Sequence, residues 1–299
     1  MASDRWRRRD WRDWRGARDG PSHGLIRGTR PSRDRGPDLG GSNPQSGLLS
    51  AAEGLAVPGP LPPLAVVIPA LNEAEHLPLL LADLAAAPGL VAELLVVDGG
   101  SRDGTLAIAR LAGARVIQAS GGRGAQLAQG ACQTTAPWLL FLHGDTRLPR
   151  GWAGAVTRAL ASPPAGWYFQ LEIEGAGPGL TLLQVGVALR SRWLQRPYGD
   201  QGLLVRRDAY LAAGGFRPLP LMEDLDLVER LAARGRLRCL GPALVVAGRR
   251  WRRLGLWGCL WQNWCLRRAW RRGVGAEALA QRYYGTAPNG IKKAGSSIR

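Results

Sequence analysis

The sequence predicts an α/β domain with a mostly parallel sheet and helices on both of its faces. Short apolar runs alternate with segments of helical periodicity from residue 64 to residue 143. Each run is continuously apolar, as strands are when both faces of their sheet are covered. A helix-length segment separates each run from the next, which is the spacing of successive βαβ units. These observations together define the fold class.

The predicted elements can be placed in order along the chain. Strands are expected at residues 64–69, 94–97, 114–118 and 138–143, and helices at 76–87, 105–112 and 124–134. The first helix is expected to end at Pro88-Gly89 and the second at Gly113, because these residue types do not continue a helix well. Later spacing is looser, with helices expected at 152–161, 180–194 and 224–233 and strands at 167–174 and 202–206. Two helices with interleaved Trp and Arg are expected within 251–284.

Composition divides the chain into four parts. Residues 1–62 are rich in Arg, Asp, Gly, Ser and Pro without apolar periodicity, which predicts a disordered basic tail. The α/β domain is expected at 63–250 and the Trp- and Arg-rich helices at 251–285. Residues 286–299 are expected to be a flexible tail.

The formal net charge of +17 is unevenly distributed. Most of the excess lies in residues 234–299, where Glu277 is the only acid, whereas the central residues are close to neutral. This distribution argues against a nucleic-acid-binding core and for a local basic surface that meets an anionic partner.

The four cysteines show neither C-x-x-C spacing nor a histidine at ligand spacing, so neither a zinc site nor a disulfide framework is predicted. The sequence contains no apolar run of about 18 residues and no apolar core of a signal peptide. We therefore expect a cytoplasmic protein without a spanning helix.

Polar residues follow three of the predicted strands. Asn72 and Glu73 follow the first strand, Asp98 ends the second, and His143 and Asp145 follow the fourth. A single acid at a strand end is commonly a helix cap. Because ligands of an open parallel sheet bind outside the carboxyl ends of its strands, three polar ends at one edge instead indicate a ligand pocket. Its carboxylates suit a nucleobase or ribose and a divalent cation.

Six motifs support a more specific interpretation. In order they are VVIPALNEAEHL, VVDGGSRDGT, GGRGAQLAQGA, LFLHGDT, YGDQGLLVRRDAYLAAGGF and LMEDLDLVERL. In this order and spacing they resemble glycosyltransferase family 2, and more narrowly the bacterial subgroup labelled rSAM/selenodomain-associated transferase 2, some of whose members are named arsenosugar or carotenoid glycosyltransferases. The resemblance implies a GT-A fold, which is Rossmann-like, followed here by C-terminal amphipathic helices. It also implies inverting transfer of a hexose from a nucleoside-diphosphate sugar to a hydroxyl or carboxyl group.

The resemblance implies roles for individual residues. Asp224, with Glu223 beside it, would deprotonate the acceptor; without the resemblance, this pair would be explained as an acidic first turn that complements a helix dipole. Asp145 matches the last acid of the D-x-D element, which holds Mg²⁺ or Mn²⁺ on the diphosphate. The residues implied in nucleotide-sugar binding are Pro69, Ala70, Asn72, Glu73, Asp98, Arg123, Asp200 and Gln201.

Two of these assignments have alternatives, and two positions depart from the family pattern. Arg123 opens a predicted helix, where it could face phosphate or simply be a solvent-exposed loop residue. His143 replaces the first carboxylate of D-x-D, and it could ligate the metal or be a buried structural histidine. Gly99 replaces the second acid of the usual D-D-G-S. Residues 249–251 could close over the diphosphate.

The C-terminal basic region predicts contact with a membrane. An apolar stripe at helical spacing is flanked by arginines, as in helices that lie on anionic lipid. The stripe comprises Leu256, Trp257, Leu260, Trp261 and Trp264. The alternative is a helix packed on the domain with its arginines exposed. The first interpretation predicts peripheral association with the inner face of the cell membrane and a lipid-like acceptor, with a small acceptor as the other possibility.

Two other functions were weighed. A nucleotidyltransferase would share the nucleotide-binding half, but no Gly-rich signature with a following Lys occurs after the first strand. An inactive relative acting as a basic membrane- or RNA-binding protein is the second. The near-neutral centre and the presence of Asp145 and Asp224 argue against it, and no nucleic-acid partner is expected.

Overall fold

The computed structural model describes residues 63–161, 165–175 and 177–284. The two tails predicted at 1–62 and 286–299 lie outside these residues. The strands are β1 Leu64–Ala70, β2 Val91–Asp98, β3 Arg115–Gln118, β4 Trp138–Phe141, β5 Thr146–Arg147, β6 Gly166–Ile173, β7 Leu203–Arg206 and β8 Leu237–Val246. The helices are α1 Leu77–Ala85, α2 Thr105–Leu111, α3 Arg123–Cys132, α4 Trp152–Leu160, α5 Pro178–Trp193, α6 Arg207–Ala212, α7 Glu223–Ala232, α8 Arg249–Arg271 and α9 Ala276–Tyr284.

The described strands form one mixed sheet in the order β3-β2-β1-β4-β7-β6-β8-β5. The four strands from β3 to β4 are parallel to their neighbours. β7 runs antiparallel to both β4 and β6, and β8 returns parallel to β6. The predicted α/β class with a mostly parallel sheet is confirmed.

Two hydrophobic cores cover opposite faces of the sheet. All seven residues of β1 are buried. Val66 and Ile68 pack with α1, α2 and α4, whereas Ala65 and Val67 pack with α3, α6 and α7. A strand covered on both faces must be apolar at every position, which is why the run at 64–69 was readable from the sequence.

Helix α3 lies unusually close to the sheet. A Cβ atom on Gly130 would come within 2.4 Å of Val67 Cγ1 and 2.9 Å of Val97 Cγ2. The absence of a side chain at Gly130 therefore lets α3 rest directly on β1 and β2. Because α3 begins at Arg123, this contact also determines where that residue stands relative to the sheet edge.

Three of these elements were missing from the sequence prediction, namely β5, β8 and α6. β8 reads LRCLGPALVV, and its Arg238, Gly241 and Pro242 interrupt any strand pattern. It is a strand because it pairs with β6 along most of its length, with a register shift between Tyr168 and Gln170. The short helix α6 follows β7 directly and was also not predicted.

The two C-terminal helices were predicted correctly in number. α8 begins at Arg249, so the domain limit expected after residue 250 falls in its first turn. Gly255 interrupts α8 with φ 68° and ψ 168°, a conformation that glycine adopts readily. Among the described helices, none is long and apolar enough to cross a membrane.

Candidate active site

A cleft of about 650 Å³ opens at the carboxyl edge of β1 and β4. This volume is in the range of small-molecule sites. The sequence-predicted residues that line it are Glu73, Arg123, His143, Asp145, Asp200 and Asp224. The topology thus brings together side chains that are up to about 150 positions apart in sequence, at the place where open α/β sheets bind ligands.

Asp224 lies at the first turn of α7 and faces the cleft. Its Oδ2 accepts a hydrogen bond from Gly199 N at 2.7 Å, and its Oδ1 accepts one from Leu225 N at 2.7 Å. These two backbone donors fix the carboxylate while leaving lone pairs on both oxygens for a further donor. Asp224 can therefore accept a hydroxyl proton from a bound molecule.

His143 lies in the cleft against Gly199. A Cβ atom on Gly199 would come within 2.9 Å of His143 Nε2 and 3.0 Å of Asp224 Oδ2, so only glycine fits between them. Burial, and secondarily the Arg123 guanidinium, lowers the pKa of His143 to about 4. The imidazole is therefore neutral at pH 7, the form that ligates metals or accepts a hydrogen bond.

Asp200 is the second acid on this side of the cleft. Burial raises the pKa of Asp200 to about 6, and its Oδ1 is buried without a hydrogen-bond partner in the described structure. A buried oxygen with no partner is costly unless a ligand supplies one. Asp200 is therefore suited to accept a hydrogen bond from a ligand hydroxyl.

Arg123 and Glu223 form an ion pair beneath the cleft. Arg123 Nε donates to Glu223 Oε1, and the Glu223 side chain is fully buried. Burial raises the pKa of Glu223, whereas the Arg123 charge opposes that rise. Arg123 was predicted to face phosphate; it lines the cleft but its Nε is engaged by Glu223, so Glu223 orients an arginine rather than facing the cleft itself.

Arg249 joins two acids at the mouth of the cleft. Its guanidinium lies 3.0 Å from Glu73 Oε2 and 3.2 Å from Asp145 Oδ2. Burial, and then the neighbouring Asp145 charge, raises the pKa of Glu73. The turn that presents Asp145 is closed by Thr146, whose hydroxyl donates to His143 O at 2.7 Å. The carboxylates of Glu73 and Asp145 thus converge on the positively charged guanidinium of Arg249.

The remaining predicted residues near β1 and β2 form a second, adjacent group. Asp98 is buried and accepts hydrogen bonds from Gly100 N and Ser101 N. Asn72 N donates to Ser101 Oγ, and Asn72 Oδ1 accepts from Arg102 N. These bonds brace the β1 and β2 loops against each other. Pro69 and Ala70 lie at the end of β1, and nucleotide binding by this group stays a prediction.

Gln201 lies below the cleft and does not line it. Its side chain is fully buried, its Oε1 accepts from Ser191 Oγ at 2.8 Å, and its Nε2 donates to Phe169 O at 3.1 Å. Gln201 therefore ties α5 and β6 to the loop that presents Asp200. Its predicted contact with the nucleotide-sugar is not tested by this placement.

Sequence reasoning missed two contributors to the site. Gln126 in α3 is buried and donates to both Ala70 O at 3.0 Å and Val97 O at 2.8 Å, which links the ends of β1 and β2. The far wall of the cleft comes from α8 and α9, including Leu266 and Tyr284. A glutamine on the otherwise apolar inner side of the predicted helix could have indicated the role of Gln126. Nothing in the sequence places α9 at the cleft.

The residues present fit a divalent cation only as part of a larger ligand set. Among the described residues, no group of three or more His, Cys, Asp or Glu could hold a metal alone. Mg²⁺ is commonly held by one or two carboxylates together with substrate phosphates. Asp145 and Glu73 meet that requirement, since their carboxylates already share the Arg249 cation. His143 lines the same cleft with a neutral ring.

Comparison with known proteins agrees with this architecture. Residues 65–206, slightly less than half of the chain, match the model of glycosyl transferase family 2. The segment that carries the first seven strands is therefore similar to that family. None of the curated proteins matches the sequence.

Solved structures show the same fold. Residues 1–349 of TarS from S. aureus are 18% identical with a TM-score of 0.50, over 62% of this chain and 60% of that one. The same TarS fragment with UDP-GlcNAc is 19% identical with a TM-score of 0.50, over 62% and 58%. Glucosyl-3-phosphoglycerate synthase from Mycobacterium tuberculosis is 23% identical with a TM-score of 0.45, over 60% and 69%. The chain spans about three fifths of the TarS fragment, and the likeness to TarS establishes the GT-A fold.

Proposed function

We propose that this protein is an inverting glycosyltransferase that moves a hexose from a nucleoside-diphosphate sugar to an acceptor hydroxyl or carboxyl. The observation that supports this most directly is the shared cleft of Asp224, Asp145 and Arg249. It combines a proton acceptor with groups suited to a diphosphate. The similarity to family 2 and the TarS complex with UDP-GlcNAc support the donor class.

The chemistry assigned to the residues is a direct displacement. The acceptor oxygen forms a bond to the anomeric carbon while its proton passes to Asp224, and the bond from that carbon to the diphosphate oxygen breaks. Glu223 acts as a positioning residue, because it holds Arg123 beside the reacting groups. Arg249 stabilises the negative charge that develops on the leaving diphosphate.

A Mg²⁺ or Mn²⁺ ion, held by Asp145 with His143 or Glu73 nearby, would supply further charge neutralisation at the diphosphate. Arg249 would then contact phosphate oxygens in place of the two carboxylates. Glu73 and Asp145 are therefore suited to pair with Arg249 when the cleft is empty and to hold a metal ion when a diphosphate is bound.

The acceptor is proposed to be lipid-like or small, and α8 is proposed to contact the cytoplasmic face of a membrane. The motif order also supports membership of the rSAM/selenodomain-associated transferase 2 subgroup. The three exposed tryptophans of the predicted stripe support the membrane part, since Trp257 is 80% and Trp261 67% exposed.

A thermal-shift screen tests the donor assignment. UDP-, GDP- and TDP-sugars, and separately nucleoside triphosphates, are added to the full chain with and without Mn²⁺, because a ligand that binds only the folded state raises Tm. We expect a Mn²⁺-dependent rise with one nucleotide, lost in Asp145→Ala and kept in Asp208→Ala, which alters an exposed carboxylate on α6. A rise with nucleoside triphosphates alone would instead favour a nucleotidyltransferase, and no rise with any nucleotide would contradict both.

A further inference from the structure

Helix α5 exposes a continuous apolar stripe. Val187 and Ser191 are buried and mark the inner face of the helix. On the opposite face, apolar side chains recur every three or four residues, which aligns them along a helix. These side chains are Leu182, Val185, Leu189 and Trp193, with exposed fractions between 51% and 76%.

Helix α8 exposes a second stripe with the same organisation. Cys259 and Leu266 are buried and mark its inner face. Trp257, Trp261 and Trp264 lie opposite them, and the rings of Trp261 and Trp264 stack with centroids 5.2 Å apart. Tryptophan residues exposed in this way are typical of surfaces that meet the membrane interface.

The two helices lie side by side and run in the same direction. Near their beginnings, a Cβ on Gly179 would come within 2.7 Å of Leu256 Cδ2. Near their ends, Arg190 and Arg267 both lie over the Tyr198 ring, at 3.7 Å and 5.6 Å. The spacing between the two contacts is the same on both helices, from Gly179 to Arg190 on α5 and from Leu256 to Arg267 on α8. This spacing corresponds to about 16 Å at 1.5 Å per residue. On each helix the residues that make these contacts lie about a quarter turn from the exposed stripe, in opposite senses on α5 and α8. Both stripes therefore face away from the core on the same side.

We propose that the two stripes form a single docking face for an anionic lipid bilayer. The docking face consists of Leu182, Val185, Leu189, Trp193, Trp257, Trp261 and Trp264. Isolated exposed apolar residues are ordinary, but adjacent stripes on paired helices form a patch of the kind that marks an interaction site.

Charge determines which partner fits the docking face. Neither helix contains an aspartate or glutamate, and both carry arginines, among them Arg192, Arg268 and Arg271. Each arginine near an anionic membrane adds about 1 kcal/mol of attraction. A second copy of this chain would bring like charges together, and a nucleic acid offers no apolar phase for Leu182 or Leu189. An anionic bilayer satisfies both the apolar and the basic residues.

The docking face lies behind one wall of the cleft. Leu266 and Arg267, on the inner side of α8, line the cleft. A bilayer on the outer side of α8 would stand about one helix diameter, ~10 Å, from it. The inference rests on the proposed function in one respect, namely that the cleft is the site of sugar transfer. The cleft would then receive an acceptor from the membrane surface.

Vesicle binding by the full chain tests the docking face. Co-sedimentation is measured with phosphatidylcholine vesicles, with and without phosphatidylglycerol, for the wild type and two double variants. Leu182→Ser/Leu189→Ser alters α5 and Trp257→Gln/Trp261→Gln alters α8. We expect binding only to vesicles with phosphatidylglycerol, weakened about tenfold by each double variant, because each removes two inserting side chains. The control Leu111→Ser, on α2 with the side chain 88% exposed, should bind as the wild type does.

Several results would overturn the proposal. Vesicle affinity at the wild-type level in the α5 variant would show that α5 is not part of the docking face. Equal binding to both kinds of vesicle would show that the docking face does not prefer anionic lipid. A dimer that dissociates in the α5 variant, without any change in vesicle binding, would assign the face to a second copy. The thermal shift with UDP-sugars is measured on the same samples. Absence of vesicle binding alone refutes the docking face and the membrane contact proposed for α8, whereas absence of the shift alone refutes the proposed sugar transfer.

Discussion

The two halves of the sheet differ in how their strands are covered. In the half from β3 to β4, parallel strands lie between helix layers, and β1 is buried at every position. In the half from β7 to β5, β6 and β8 are parallel to each other whereas β7 and β5 run antiparallel to their neighbours, and β6 and β8 expose Gln170, Glu172 and Arg238. The first half supplies Glu73, His143 and Asp145 to the cleft, and the segments around the second half supply Asp200 and Asp224. A strand that is buried at every position thus lies in the same sheet as strands with exposed side chains.

The largest expected effect comes from the second half. Asp224→Asn should lower kcat by about 10³, because a carboxamide cannot take the acceptor proton, whereas general-base catalysis contributes 10²–10⁴. The nucleotide-induced thermal shift should stay near its wild-type value, whereas Tm should fall somewhat because the carboxamide keeps one oxygen for the two backbone donors. Sugar transfer or donor hydrolysis is the measurement, and Asp208→Asn is the matched control at an exposed site. Near-normal turnover in Asp224→Asn would move the base to Asp200.

The close packing of the first half predicts the next largest effect. Gly130→Ala should lower the free energy of unfolding by about 2 kcal/mol, since the new methyl group meets Val67 and Val97. Gly154→Ala, within α4, has only the Arg158 side chain nearby at 3.5 Å and should stabilise by about 0.5–1 kcal/mol. Urea denaturation compares the two variants, and effects of the same sign would show that packing at α3 is not the cause.

The hydrogen bonds at the end of β1 and β2 predict a comparable loss. Gln126→Leu removes the hydrogen bonds of this side chain to Ala70 O and Val97 O and leaves Ala70 O with Gly99 N as its donor; this should cost about 2 kcal/mol of unfolding free energy. Gln129→Leu, at an exposed position of the same helix, removes a weak contact of 3.5 Å and should cost little. Hydrogen exchange of the β1 and β2 amides locates the change; unaltered exchange in Gln126→Leu would contradict this role.

The smallest predicted effect lies where the two halves meet. Arg249→Gln should weaken UDP binding about tenfold, because one charge-assisted contact to the diphosphate is lost. Arg252→Gln removes a neighbouring arginine whose contact with the exposed Glu174 is 3.4 Å, and UDP binding should be unchanged. Calorimetry measures UDP binding by the wild type and the two variants. Equal UDP affinity in all three would show that Arg249 only pairs with Glu73 and Asp145 and does not contact the diphosphate.

The same contrast explains which elements were predictable. The strand at 64–69 and the helices beside it follow from apolar periodicity, since every residue of β1 meets a neighbour in a core. β8 contains Arg238, Gly241 and Pro242 and becomes a strand only by pairing with β6. A sequence pattern reports regular burial, so β6 and β7 on the same half were predicted, whereas β8 lacks such a pattern.

The site shows a similar division. The strand-end acids Asp145 and Glu73 were identifiable because a parallel sheet brings its carboxyl ends to one edge. That Glu223 would be engaged by Arg123 whereas Asp224 faces the cleft was not readable, because neighbouring residues in a helix point in different directions and only the packing of α7 decides which is inward.

By itself, the sequence determined the α/β class, the order of most elements and the edge at which the polar residues gather, because these depend on short-range periodicity and on the direction of parallel strands. Only the tertiary structure decided the pairing of β8 with β6, the placement of α9 at the cleft and the alignment of α5 with α8. These depend on contacts between residues far apart in the chain, and no local pattern specifies which distant surface an exposed or half-buried side chain will meet.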